Sequence, residues 1–262
     1  MRRPLLLTAM LLVLAASLPA SAQPRQSLVT IVHGLPRFTA DIYVDGELFL
    51  SGFRPEQATD PVELAVGTYH VEIREVGAPA DSSPVLEADL SVPGDKDLSV
   101  IAHLDENGEP TVSVFENEVG DVPPGRSRLS LRHQAEAAPV QLMVDGTPLL
   151  ARVASGEEDG TAIPAATHDV EVVAEDGASL VPRSSLQFEE GTAYFLYLIG
   201  STTEGTLDLM VQRATGLASP PSGVATGDGG LADESGLPPW AMVLMLGAAL
   251  ALAITGREVA RR

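Results

Sequence analysis

Residues 28–73 read LVTIVHGLPRFTADIYVDGELFLSGFRPEQATDPVELAVGTYHVEI, and the chain repeats much of this about a hundred positions later. His33 recurs as His133, and Val44, Asp45 and Gly46 recur as Val144, Asp145 and Gly146. Thr68, Val71 and Glu72 return as Thr167, Val170 and Glu171, with the register slipped by one residue. Matched residue types at matched spacing mark a duplicated structural unit. The repeat predicts two tandem modules, residues 27–119 and 127–213, joined by a short linker at 120–126.

Within each copy the apolar residues alternate with period two and turn residues interrupt them every eight to twelve positions, the pattern of short strands. Asp45-Gly46 stands between two such runs and predicts a type I′ hairpin, because both central residues tolerate positive φ. Tyr69, Val71 and Ile73 share one face of the next run while His70, Glu72 and Arg74 share the other, so one face is expected in the core and one in water. Residues 194–199 (YFLYLI) are apolar on both faces, which predicts a strand covered on both sides, against the first module. Glu157, Glu158, Asp159 and Gly160 read as a charged loop. The expected class is all-β: two tandem immunoglobulin-like antiparallel β-sandwiches.

Of 262 residues 45% are hydrophobic and 20% charged, a globular composition long enough for two cores. Cysteine is absent, so neither a disulfide nor a thiolate nucleophile or ligand is available. The formal charge is −20, and −22 without Arg2 and Arg3, which disfavours nucleic acid as a partner. Lys96 is the single lysine among 16 basic residues, a bias typical of a GC-rich, actinobacterial-type genome.

The ends carry addresses. Residues 1–22 combine Arg2 and Arg3, an apolar run and Ala20-Ser21-Ala22, the layout of a secretory signal peptide. Residues 214–236 are rich in Gly, Ser, Ala and Pro and predict a disordered tether with a reach of roughly 25 Å. Residues 237–256 are apolar almost throughout, and as a helix residues 239–256 would extend about 27 Å at 1.5 Å per residue, enough to cross a bilayer. Trp240 suits the outer interface, and the basic tail at 257–262, with Arg257, Arg261 and Arg262, places the C-terminus in the cytoplasm. The same region resembles a degenerate sortase sorting signal, which gives cell-wall attachment as the alternative location.

The stretches Val32-His33, Ala40 to Gly46 and Leu64 to Arg74 resemble the DUF4397 domain, a family of bacterial secreted modules without an assigned function. The junction from Val112 to His133 resembles the point where one such domain ends and another begins. In the second copy Gln141 replaces Asp41, Met143 replaces Tyr43 and Ala166 replaces Gly67. The resemblance implies a β-sandwich on the cell exterior and carries over no catalytic residue.

No nucleophile elbow, zinc-binding His pair or phosphate-cradling loop occurs between the leader and the tether. No catalytic, cofactor or metal residue is therefore nominated, and the ligand is left unknown. His33 and His133 recur at matched positions and read as hydrogen-bonded structural imidazoles. Asp95 and Asp97, and Asp105, Glu106 and Asn107, lack full calcium-loop spacing and read as solvated turn acids. Phe49, Phe53 and Tyr43 are expected in the core. The resulting expectation is a non-enzymatic, membrane-anchored cell-surface protein with binding or scaffolding modules. Its expected partners are the bilayer, through the C-terminal helix, and an extracellular protein or the cell wall. The alternatives are an extracellular polysaccharide-directed hydrolase and an ectodomain subunit of a membrane signalling complex.

Overall fold

A computed structural model describes residues 25–79 and 82–218, which fall within one compact unit. The first half supplies β1 (Gln26–His33), β2 (Ala40–Val44), β3 (Glu47–Phe53), β4 (Gln57–Ala58), β5 (Val62–Ala65), β6 (Gly67–Glu75), β7 (Leu86–Val92), β8 (Asp97–Leu104) and β9 (Pro110–Glu116). The second half supplies β10 (Arg126–Glu136), β11 (Val140–Val144), β12 (Thr147–Val153), β13 (Glu158–Pro164), β14 (Thr167–Ala174), β15 (Ser179–Gln187), β16 (Ala193–Ser201) and β17 (Asp208–Ala214). Among the described residues there is no helix.

The sheet orders repeat. In the first half β4-β1-β8-β9, with β5 beside the start of β1, faces β3-β2-β6-β7. In the second half β13-β10-β16-β17 faces β12-β11-β14-β15. The hairpin turns are as the Asp-Gly pairs predict: Asp45 and Gly46 have φ of 51° and 81°, Asp145 and Gly146 51° and 77°. Each aspartate also ties its hairpin to the next strand, since Asp45 Oδ1 accepts from His70 N and Asp145 Oδ1 from Asp169 N.

Two features depart from an antiparallel immunoglobulin-like arrangement. β1 runs parallel to β8, and β10 parallel to β16, so both inner sheets are mixed. The strand order also differs from the immunoglobulin one, because the first strand lies beside the penultimate strand instead of its hairpin neighbour. Successive side chains point to opposite faces in any strand, whatever the direction of its neighbour, so the period-two pattern could not reveal this.

Other boundaries move too. The acidic stretch around Glu158 is no loop: β13 pairs along β10 from Glu158 to Pro164, at a sheet edge where polar side chains meet water. Residues 120–126 are pinned and not free, because Arg128 donates to the carbonyls of Glu118 and Gly120 and Val122 N donates to Leu217 O. Residues 214–218, expected in the tether, belong to the body: Ala214 ends β17 and Val122 forms a bridge with Ala218. No helix among the described residues is long and apolar enough to cross a membrane. The expected leader at 1–22, the rest of the tether and the apolar segment at 237–256 lie outside the described residues.

The cores follow the layers. Leu129, Leu131, Val140, Leu142, Val172 and Leu196, each 0–1% exposed, belong to the second sandwich's core. Ile42, Phe53, Ile73 and Leu104 pack with Leu35 and Ala40 in the first, and Val29, Val92, Leu98 and Val100 form a second cluster there. A further cluster joins the halves: Val32 and Ile101 of the first pack against Ala193, Phe195, Tyr197 and Ile199 of the second. β16 therefore sends Tyr194, Leu196 and Leu198 into its own core and the alternate residues into the seam, as a strand apolar on both faces should. The four sheets stack as consecutive layers.

Candidate functional site

The seam contains a charge at its centre. Arg132 of β10 is 0% exposed. Its Nη1 donates to Asn117 Oδ1 at 2.9 Å and to the Tyr197 hydroxyl at 2.6 Å. Its Nη2 donates to Glu158 Oε1 at 3.4 Å, and its Nε lies 3.2 Å from Glu158 Oε2, so the two side chains form a hydrogen-bonded ion pair. The guanidinium sits 4.6 Å from the centre of the Phe115 ring and 4.5 Å from that of Phe195. Tyr197 donates onward to Gln212 Oε1 at 2.6 Å, and Asn117 Nδ2 donates to Asp97 Oδ1 at 2.6 Å. Burial pushes the Tyr197 hydroxyl pKa up, which keeps it protonated. The sequence reading missed Arg132, although an arginine at an outward position of a doubly apolar β-pair was a usable signal. Gly34 marks how close the halves come: a methyl group there would stand 3.0 Å from Ala102 O and from Ile199 Cγ2.

The second feature is an apolar cavity of about 60 Å³ between the sheets of the first sandwich. Val29, Ala40, Val92, Val100 and Ala102 line it, together with His33 and Phe49. Phe49 is 43% exposed, so the cavity reaches the surface along the β3 edge. Strand register shows why the space exists. Ala102 lies beside His33 as Leu198 lies beside His133, and Val100 beside Ile31 as Leu196 beside Leu131. Val29 and Ala40 match Leu129 and Val140, and Val92 beside Gly67 matches Phe188 beside Ala166. All five are smaller in the first copy. Phe53, Ile73 and Tyr69 run the other way, against Val153, Val172 and His168. The looser packing shows in exposure: Val71 and Val100 are both 9% exposed, their counterparts Val170 and Leu196 1% and 0%.

The two recurring histidines are structural, as expected. His33 Nε2 donates to Phe38 O and His133 Nε2 to Ala138 O, at 3.2 and 3.1 Å. Each closes the loop five residues on. In both rings Nδ1 is left as a buried acceptor without a partner, and burial pushes both imidazole pKa values down, so the rings are neutral. Beside His133 the neighbouring space is filled by Leu198, whereas the His33 ring lines the cavity.

The other residues singled out in the sequence are dispersed. Asp41 is 7% exposed and accepts from Ser51 Oγ, Gly52 N and Gly77 N, bonds that hold its pKa down. It braces the irregular β2–β3 pairing. Asp105 caps its own turn by accepting from Asn107 N and Glu109 N, which also lowers its pKa, and Asp95 makes only a 3.9 Å contact with Arg25. Phe53 is core, Phe49 edges the cavity and Tyr43 lies under Arg74, so the three do not share one face.

One group of side chains among the described residues is compact enough to share an ion: His70, Glu72 and Glu87 on the outward face of β6 and β7. Cross-strand pairing accounts for it. His70 Nδ1 is 2.9 Å from Asp89, which raises the imidazole pKa, and Arg74 holds Glu72 at 3.1 Å.

The family model described as "Domain of unknown function (DUF4397)" matches residues 27–142. The chain carries a DUF4397 domain. The match covers the first sandwich and continues through β10 to Leu142 in β11. The cavity and the Arg132 position thus both lie within the DUF4397 match. No curated protein matches the sequence. A solved structure of a proposed cell adhesion protein from Bacteroides uniformis is similar at 7% identity, covering 73% of this chain and 98% of that one, with a TM-score of 0.24.

Proposed function

We propose that this is a membrane-anchored cell-surface protein whose two sandwiches act together as a non-catalytic binding or scaffolding unit. The observation that carries the reading is the buried seam, which presents both modules as one unit. A linker that allowed independent motion would leave Arg132, Tyr197 and Phe195 facing water. In this reading the apolar segment at 237–256 holds the unit to the membrane, with the modules extracellular, the tail cytoplasmic and the tether setting the stand-off. The strong negative charge suits an extracellular protein or cell-wall partner over anionic surfaces.

Fractionation and protease accessibility on intact cells test it. The full chain should be extracted with detergent and its modules digested from outside. Release by peptidoglycan hydrolase alone, or full protection from external protease, would overturn the anchoring or the topology.

A further inference from the structure

We propose that His70, Glu72 and Glu87, on the outward face of β6 and β7, form a binding site for a divalent first-row metal ion such as zinc. Their donor atoms lie within 4.8 Å of one another. His70 Nε2 stands 3.4 Å from Glu87 Oε1 and 3.9 Å from Glu72 Oε1. Zinc bonds of about 2.1 Å to nitrogen and oxygen place neighbouring ligands of a tetrahedron about 3.4 Å apart. One of the two distances fits as it stands, and the other needs a side-chain adjustment of about half an ångström.

The surroundings orient each donor. His70 Nδ1, 2.9 Å from Asp89 Oδ1, can only donate to that carboxylate, so the neutral ring carries its lone pair on Nε2, turned toward both glutamates. A carboxylate behind the imidazole is the usual second partner of a metal-bound histidine. Arg74 Nη2 holds Glu72 Oε2 at 3.1 Å and leaves Oε1 facing the histidine. The side chains of His70 and Glu87 are 40% and 55% exposed, which leaves a fourth position open to solvent. The mixed donor set selects the ion: imidazole suits zinc, copper and nickel, whereas calcium and magnesium take oxygen ligands.

The second copy is an internal comparison. Glu72 pairs in register with Glu87, two like charges directly opposite each other in a chain of net charge −20, which destabilises a sheet unless a cation lies between them. In the second copy Glu171 stands for Glu72, and Arg183 faces it across the strands at 3.3 Å. Asp169 stands for His70, in register with Ser185, whose hydroxyl donates to it. There the acids are neutralised or hydrogen-bonded one by one. The first copy instead gathers three donors around one point, with a proton on Nε2 as the competing occupant.

Isothermal titration of the full chain in detergent micelles with zinc chloride at pH 7.5 tests this. One zinc ion should bind at a site that His70→Gln and Glu87→Arg each weaken at least tenfold. Glu87→Arg reproduces the Glu-Arg pair of the second copy, so its thermal midpoint should not fall, which guards against misfolding. Asp89→Asn keeps all three ligands and should weaken binding about tenfold. Calcium chloride should give no binding that these substitutions change. Absence of zinc binding, with a proton the sole occupant, or zinc binding unchanged by His70→Gln and Glu87→Arg, would refute the site. Calcium bound as tightly as zinc would refute the part given to the imidazole, and unchanged affinity in Asp89→Asn would refute the orienting role of Asp89. None of these outcomes depends on the membrane anchor or on the seam.

Discussion

Replacing Arg132 with alanine should uncouple the two sandwiches. The side chain is fully buried and donates to Asn117 and Tyr197, faces the Glu158 carboxylate and lies between two aromatic rings. Hydrogen bonds from a charged donor contribute about 1.5–3 kcal/mol each, and each ring contact about 0.5–1. Against this stands the desolvation cost of the guanidinium, which the variant no longer bears. The groups left behind are partly provided for. Asn117 Oδ1 keeps Ser99 Oγ within 3.0 Å, Tyr197 keeps Gln212, and Glu158, 28% exposed, can take up water. The net loss should therefore be about 3–5 kcal/mol, the usual range for removing one partner of a buried pair. Guanidinium denaturation of the full chain, followed by far-UV circular dichroism, reads it. The wild type should unfold in one transition and Arg132→Ala in two, with the first sandwich leaving earlier. Arg132→Lys keeps the charge but not the planar fork that fits between two rings, so it should restore less than half of the loss. A single transition within 0.5 kcal/mol of the wild type, or full rescue by lysine, would show that the seam does not depend on this group.

Asp41→Ala removes the acceptor for Ser51, Gly52 and Gly77 at a nearly buried position, and should cost about 2–4 kcal/mol in thermal or chemical unfolding. Gly146→Ala places a Cβ at φ 77° in the I′ turn and should cost about 1–2 kcal/mol by the same measurement, with no change in far-UV signal. The pH dependence has a definite sign. His33, His103 and His133 all have pKa values lowered by burial, so the unfolded chain binds protons that the native state refuses, and stability should fall as pH drops below 6.5. His70 and His168, raised by Asp89 and Asp145, act in the opposite sense, their contribution being present below 6.5 and lost as pH rises through their folded values. Because those two sit nearer solvent, the buried set should dominate, and denaturation midpoints at pH 5 should lie below those at pH 7. A higher midpoint at pH 5 would reverse the assignment.

The strands and their hairpins were legible because they are local. Asp45-Gly46 and Asp145-Gly146 dictate positive φ at two residues, and alternation from Tyr69 to Ile73 dictates which face is wet. Residues 194–199 even showed that a second layer covers β16. What stayed hidden is set by residues far apart. Nothing within β1 says that its neighbour is β8 or that the pairing is parallel. The β13 edge read as a loop because Glu158 to Thr161 are exposed on both faces of the strand, which leaves no apolar alternation to read. Arg132 was passed over because its partners lie at positions 115, 117, 158, 195 and 197, three separate stretches that meet only after both sandwiches are built. The void in the first sandwich was hidden too, because it comes from small side chains at 29, 92, 100 and 102 that meet only when the strands are assembled.

The two copies have diverged in a way that links the seam to the cavity. At roughly 24 cal/mol per Å³, a 60 Å³ void costs the first sandwich about 1.4 kcal/mol. A small domain that is only marginally stable by itself has little room for such a loss. Docked on a fully packed neighbour through a seam whose central arginine alone is worth about 3–5 kcal/mol, it has room to spare. Filling the void with Ala102→Leu should then raise the stability of the whole unit by about 1–2 kcal/mol, and the gain should be larger in the Arg132→Ala background, where the first sandwich unfolds separately and the full effect falls on its own transition. Equal gains in both backgrounds would mean that the two sandwiches already unfold independently, and the seam would then be contact without coupling.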